Sequence, residues 1–130
     1  MNISKVAALS GLSAKMIRYY ESIGLLPIAQ RNASGYRVYT NTDVQRLQFI
    51  YQARQLGFSL EHIQTLVQLW QNEDRRSADV KNLVQQHVNA LTEKINQLQQ
   101  MKQQLEIWMQ SCAGNQNADC AILNSMTAHH

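Results

Sequence analysis

The chain has 130 residues, room for one small domain and an extension, and its 45% hydrophobic and 16% charged composition excludes an intrinsically disordered segment. No apolar run approaches the ~20 residues of a membrane span, and Met1-Asn2-Ile3-Ser4-Lys5 lacks the apolar core of a signal peptide, so no membrane partner and a reducing cytoplasm are expected. Net charge is +3, but residues 1–56 set seven Lys/Arg against Glu21 and Asp43 while the remainder balances at −2, which points to a polyanion bound at one end.

Residues 3–9 read as a short amphipathic helix with Ile3, Val6 and Ala7 inward, followed by a Ser10-Gly11-Leu12 turn. Ser13 is placed to cap a second helix that runs to about Ser22 and ends at Gly24. Ile17 and Tyr20 face inward there, and Lys15, Arg18 and Tyr19 outward. Two short helices joined by a Gly-containing turn form a helix-turn-helix, whose second helix enters the DNA major groove. Lys15 and Arg18 then reach phosphates or guanine edges. A helical hairpin with a solvated basic face is the alternative.

Pro27 stops the helical pattern. Residues 28–40 carry a Ser-Gly turn, after which Tyr36, Val38 and Arg37, Tyr39 alternate in strand fashion. A hairpin tipped by Arg31, Tyr36 and Arg37 is a wing, with Arg on phosphate and a Tyr hydroxyl as an extra donor. Tyr36 and Tyr39 as packing aromatics, with Arg37 facing solvent, is the alternative. Thr40 or Thr42 caps a third helix over about 43–55, with Val44, Leu47, Phe49 or Ile50, and Ala53 inward and Gly57 at its end. Arg54 near its C-terminus touches phosphate or caps carbonyls. Ser59 caps a fourth helix over about 60–71, with Ile63, Leu66, Val67 and Trp70 inward, and residues 72–76 form a polar hinge.

Ser77 caps a long helix that runs to Ser111 without Gly or Pro. Val84, Leu91, Leu98 and Leu105 recur every seven residues, beside Val80, His87, Lys94, Met101 and Trp108 and a flanking Val88, Ile95 and Met109. At ~1.5 Å per residue this helix is roughly 50 Å long, too long to bury its stripe in so small a domain. The stripe is expected to pair with a second copy as a homodimer; packing on its own domain is the alternative. Cys112 continues the ladder seven residues after Leu105.

Cys112 and Cys120 bracket a loop that can fold back at Gly114. Two thiolates alone suit a soft monovalent ion, Cu(I), Ag(I) or Au(I), whereas Zn(II) takes four ligands. Further ligands are weak candidates: His87 is far up the helix, Asp119 offers a hard oxygen, and His129 and His130 sit on a tail, native or tag-derived. Two thiolates on one +1 ion leave a net −1, which backbone N–H groups, a helix terminus or a cation must offset. Core packing of the two cysteines and a Cys112–Cys120 redox switch are the competing readings. Ile122, Leu123 and Met126 predict a two-turn helix, expected to pack back on the hinge so that metal binding biases the head.

Four separated motifs stand in register: Arg18-Tyr-Tyr-Glu21, Gly24-Leu25-Leu26, Gly35-Tyr36-Arg37-Val-Tyr39 and Leu56-Gly57-Phe58-Ser59-Leu60. With a dimer helix after them, the chain closely resembles the MerR family of transcription regulators. Ser77-Ala78-Asp79-Val80-Lys81 and Cys112…Asp119-Cys120 are most similar to its CueR-like, copper-, silver- and gold-sensing branch.

The resemblance implies a mainly α fold. A winged helix-turn-helix DNA-binding head with a small β-hairpin wing spans 1–72, a hinge and antiparallel coiled-coil dimerisation helix 73–111, and a metal-binding loop with a short helix 112–130. It implies a homodimer that distorts an overlong promoter spacer for RNA polymerase when Cu(I), or Ag(I) or Au(I), binds, and so activates copper-efflux genes. Lys15, Arg18, Tyr19, Arg31, Tyr36, Arg37 and Arg54 match DNA contacts on double-stranded promoter DNA. Ser77 and Lys81 of a partner match the surroundings of the metal loop; divalent-metal relatives have a cysteine where Ser77 stands. Ala113 and Ala121 depart from the prolines usual after each cysteine, which implies a softer loop. Within the family, a thiol redox sensor, a divalent-metal sensor and an organic-ligand sensor are the alternatives. Outside it, a metal carrier conflicts with the basic half, and no catalytic constellation supports an enzyme.

Overall fold

The computed structural model describes residues 1–116 and 118–128, in the order α1 (Ile3–Ser10), α2 (Ala14–Ser22), β1 (Gln30–Arg31), β2 (Arg37–Val38), α3 (Asn41–Gln55), α4 (Leu60–Gln71), α5 (Ser77–Ser111) and α6 (Ala121–Ala128). It divides into two compact units, Met1–Leu83 and the remainder from Val84. Among the described residues no helix is long and apolar enough to cross a membrane.

Short side-chain acceptors start the helices of the first unit. Asn2 accepts from the Lys5 N–H, Ser13 from Met16, Thr40 from Asp43 and Ser59 from His62. Each satisfies a backbone donor that the first helical turn leaves open. Thr40 is the better equipped, because the Asp43 carboxylate returns to the Thr40 N–H and closes a capping box. This places the α3 start at Asn41, two residues before the sequence expectation.

Gly11 follows α1 at φ 81°, and its N–H donates to the Ala7 carbonyl, so a left-handed residue both ends the helix and turns the chain into α2. α1 packs against α2 and α3, and α3 against α4. Val6, Ile17, Tyr20, Leu26, Leu47, Ile50 and Ile63 fill the centre with almost no exposure. Ile50 takes the inward position of α3, while Phe49 stacks on Trp70 with ring centroids 5.0 Å apart and planes 6° apart.

Two expectations need correcting. Trp70 is not a core residue: 37% of it is exposed. It lies past the end of the α4 core stripe, lining with Phe49, Leu66, Leu69 and Val80 a shallow cleft of about 150 Å³. Ser77 is the first residue of α5, not the residue before it. The first turn is instead tied by the Arg76 guanidinium donating to Asp79 at 2.9 Å and by the Asp79 N–H donating to the Arg76 carbonyl.

In the second unit most heptad positions of α5 are open to solvent, His87 and Trp108 being half-buried. Leu91, Leu98, Met101 and Leu105 are all at least 40% exposed in the single chain. Met101, Leu105 and Trp108, with Gln97, Gln100 and Gln104, form a mostly apolar strip. α5 has 35 residues, about 52 Å at 1.5 Å per residue. The short helix read from Ile122, Leu123 and Met126 is α6, with Leu123 and Met126 exposed.

Candidate DNA interface and metal centre

Three of the basic residues of the head, Arg18, Arg31 and Arg37, gather around one concavity. Arg18 of α2 and Arg31, Tyr36 and Arg37 of the wing line a hollow of about 740 Å³ with the start of α1. The wing is small: Gln30 pairs with Val38 and Arg31 with Arg37, antiparallel. Its turn depends on Asn32, whose side-chain oxygen accepts from the N–H groups of Ser34 and Tyr36, and on Gly35 at φ 82°, a conformation that costs other residues strain. The Arg31 guanidinium crosses the turn to donate to the Gly35 carbonyl at 2.7 Å. Tyr36 is 72% exposed, so its hydroxyl is free to meet a partner molecule.

The other DNA candidates divide by position. Lys15 and Tyr19 are exposed on α2 beside Arg18, and the Tyr19 ring leans on Tyr20 at 5.8 Å. Arg54 is exposed in the last turn of α3 and does not line the hollow. Arg37 is turned inward: its Nη1 lies 3.5 Å from Oε2 of Glu21, whose side chain is only 3% exposed. The Tyr39 hydroxyl donates to the other oxygen of Glu21. Tyr39 is thus the packing aromatic of the two tyrosines in the wing. Burial first, and then the Glu21 carboxylate, push its phenol up to about 12.

Glu21 was not singled out from the sequence. The signal was its place at four residues after Ile17 and next to Tyr20, on the stripe that α2 buries. A carboxylate there needs a cation and donors.

Cys112 is the first residue beyond α5, its N–H donating to the Met109 carbonyl, and Cys120 immediately precedes α6, its carbonyl accepting from Asn124. The two sulfurs lie 3.3 Å apart, both half-buried. The backbone N–H of Leu123 is the main cause that lowers the Cys120 thiol from its ordinary range, followed by the Cys112 side chain and the Ile122 N–H. A helix N-terminus thus faces the sulfur and favours its thiolate. Burial and the Asp119 carboxylate oppose this. The Asp119 carboxylate accepts from the Asn124 side chain at 3.3 Å, which holds it on α6.

Among the described residues no group of three or more His, Cys, Asp or Glu side chains gathers to hold a metal. Ser77 and Lys81 lie in the first two turns of α5, both exposed. His129 and His130 lie outside the described residues, as does Asn117 of the loop.

Residues 1–70 match the family model described as MerR HTH family regulatory protein, and residues 44–107 the one described as MerR, DNA binding. A probable heavy metal-dependent transcriptional regulator of Haemophilus influenzae is 48% identical over 97% of this chain and 98% of its own. The HTH-type transcriptional regulator CueR of Escherichia coli O6:H1 is 41% identical over 100% of this chain and 98% of its own. Among solved structures, PbrR691 of Ralstonia metallidurans CH34 in complex with lead(II) superposes with a TM-score of 0.86 at 29% identity, covering 97% of this chain and 98% of that one. These relatives are transcription regulators rather than enzymes. With a helix-turn-helix head, a wing, a long helix and relatives matched from end to end, this chain belongs to the MerR family.

Proposed function

We propose that this chain is a metal-responsive transcription activator that senses a monovalent thiophilic ion, Cu(I) or its analogues Ag(I) and Au(I), in the cytoplasm. MerR regulators bind promoter DNA and act with RNA polymerase. In this reading two copies join along α5 and set their recognition helices on a palindromic promoter. Lys15, Arg18 and Tyr19 serve the groove and its edges; Arg31, Tyr36 and Arg54 serve the backbone. Metal at the tip of α5 shifts the dimer between two DNA-bound forms, the activating one distorting an overlong spacer ahead of copper-efflux genes.

The observation that carries this reading is the paired thiols, 3.3 Å apart, with a helix N-terminus on one of them and no third ligand gathered among the described residues. Two soft sulfurs favour a soft ion of low coordination number over Zn(II), which takes four ligands. The N–H groups of Ile122 and Leu123 offset part of the net negative charge that two thiolates and a +1 ion leave. Gly114 at φ 62° and the alanines at 113 and 121 would let the loop adjust the spacing of Cys112 and Cys120, the two residues that would hold the ion. Ser77 and Lys81 of the partner are proposed to border this loop, where Lys81 contributes positive charge and Ser77 supplies no thiolate.

In vitro transcription from a long-spacer promoter under reducing conditions tests the proposal. Cu(I), Ag(I) or Au(I) is expected to stimulate transcription by the unaltered protein, and Cys112→Ser to keep promoter binding while losing the response. Equal stimulation by Zn(II) or Pb(II) would favour a divalent-metal sensor instead.

A further inference from the structure

Glu21 is the one charged side chain counted as buried among the described residues, and both groups facing it come from the wing side of the hollow. The wing itself has two residues in each strand. A ribbon of that size does not hold its own shape in water. Its tilt must therefore come from what its base is fastened to. That base is Arg37 and Tyr39: the Tyr39 backbone exchanges hydrogen bonds with Met1, and the side-chain fastening is a carboxylate on the recognition helix.

We propose that Glu21 is a positioning residue for DNA recognition. Its carboxylate clamps the wing to α2 at a fixed tilt, and Arg37 serves that clamp rather than a phosphate. This rests on the DNA-binding reading above and adds to it a division of labour among the arginines of the hollow. Arg18 and Arg31 are exposed, Arg31 with one N–H on the Gly35 carbonyl, whereas the Arg37 side chain is two-thirds covered and faces a carboxylate. Its charge is spent internally. Arg31 and Tyr36 at the wing tip reach the DNA backbone only where the base puts them, because the turn between Asn32 and Gly35 is closed by its own hydrogen bonds and moves as a unit.

The clamp is also incompletely bonded. Nη1 of Arg37 and Oε2 of Glu21 are buried, lie 3.5 Å apart and make no aligned hydrogen bond. Removal of the carboxylate leaves the Tyr39 hydroxyl and the Arg37 guanidinium without their acceptor in a buried place, so the wing base has to shift to reach water.

Phosphate-ethylation interference with the full-length protein on its promoter tests the clamp. Arg31→Ala first marks the phosphates that the wing contacts, and Lys15→Ala those of the recognition helix. Glu21→Ala is expected to weaken the specific complex at least tenfold and to erase the wing phosphates, while the recognition-helix phosphates persist at saturating protein. Glu21→Gln keeps an acceptor for Tyr39 and is expected to restore the wing pattern. Uniform weakening of both sets, as from plain destabilisation, overturns the proposal, and so does an intact wing pattern in Glu21→Ala. If Glu21→Ala does not fold, Tyr39→Phe keeps the ring in the core and removes only the hydroxyl. It is then expected to lose wing contacts selectively, and an unchanged pattern overturns the clamp. A wild-type protein that gives no interference pattern on any promoter overturns the DNA-binding reading itself, a result distinct from either.

Discussion

Leu98→Ala is the sharpest test of the proposed helix pairing. Leu98 sits mid-way along α5 and is 58% exposed in the single chain. Truncation removes three carbons, about 0.8 kcal/mol each when fully buried. Scaled by the 58% that a partner is there to cover, the loss is about 1.4 kcal/mol per chain and about 2.8 kcal/mol per dimer. At about 1.4 kcal/mol per decade this raises the dimer dissociation constant roughly a hundredfold. Gln103→Ala is the control, because Gln103 shares a seven-residue line with Asn82, Asn89 and Asn96, all polar and off the seam. Sedimentation equilibrium across a dilution series reads both variants. A dissociation constant that moves equally in the two, or a wild type that stays monomeric at every concentration, refutes the pairing.

Two further predictions concern titratable groups. Folding raises the Tyr39 phenol from 10.0 to about 12, so the native state favours its protonated form. The resulting stabilisation is fully present below pH 10 and is lost between pH 10 and 12. Alkaline unfolding followed by circular dichroism should flatten over that window in Tyr39→Phe; an unaltered profile contradicts the buried Glu21–Tyr39 bond. At Cys120 the Leu123 N–H, the Cys112 side chain and the Ile122 N–H lower the thiol, and Asp119 opposes them. Iodoacetamide should accordingly alkylate Cys120 faster in Asp119→Asn and more slowly in Cys112→Ser at neutral pH. Rates indifferent to both changes would remove the electrostatic account of the sulfur pair.

Much of this was legible in the sequence for local reasons. Ser13, Thr40 and Ser59 mark helix starts because capping is a contact within three residues. The α5 seam is legible because seven-residue spacing survives any tertiary context. Cys112 and Cys120 are legible as a pair because Gly114 takes a left-handed turn in the short loop between them. The rest depends on contacts that sequence distance hides. Arg37 reads as an outward wing arginine until the hairpin folds back and sets it against Glu21, sixteen residues earlier. Trp70 falls on the helical core stripe, yet the core ends before it does, and only the packing of α4 on α3 tells where. Ser77 has the chemistry of a cap but lies one residue inside the helix, where Arg76 and Asp79 close the turn instead.

X-ray absorption at the copper edge of protein loaded with one Cu(I) per chain addresses the metal centre most directly. The account predicts a first coordination shell of two sulfur atoms and no nitrogen or oxygen, lost when Cys112 and Cys120 are both replaced by serine. A shell with a third or fourth ligand, or copper held as firmly by the double variant, would contradict it.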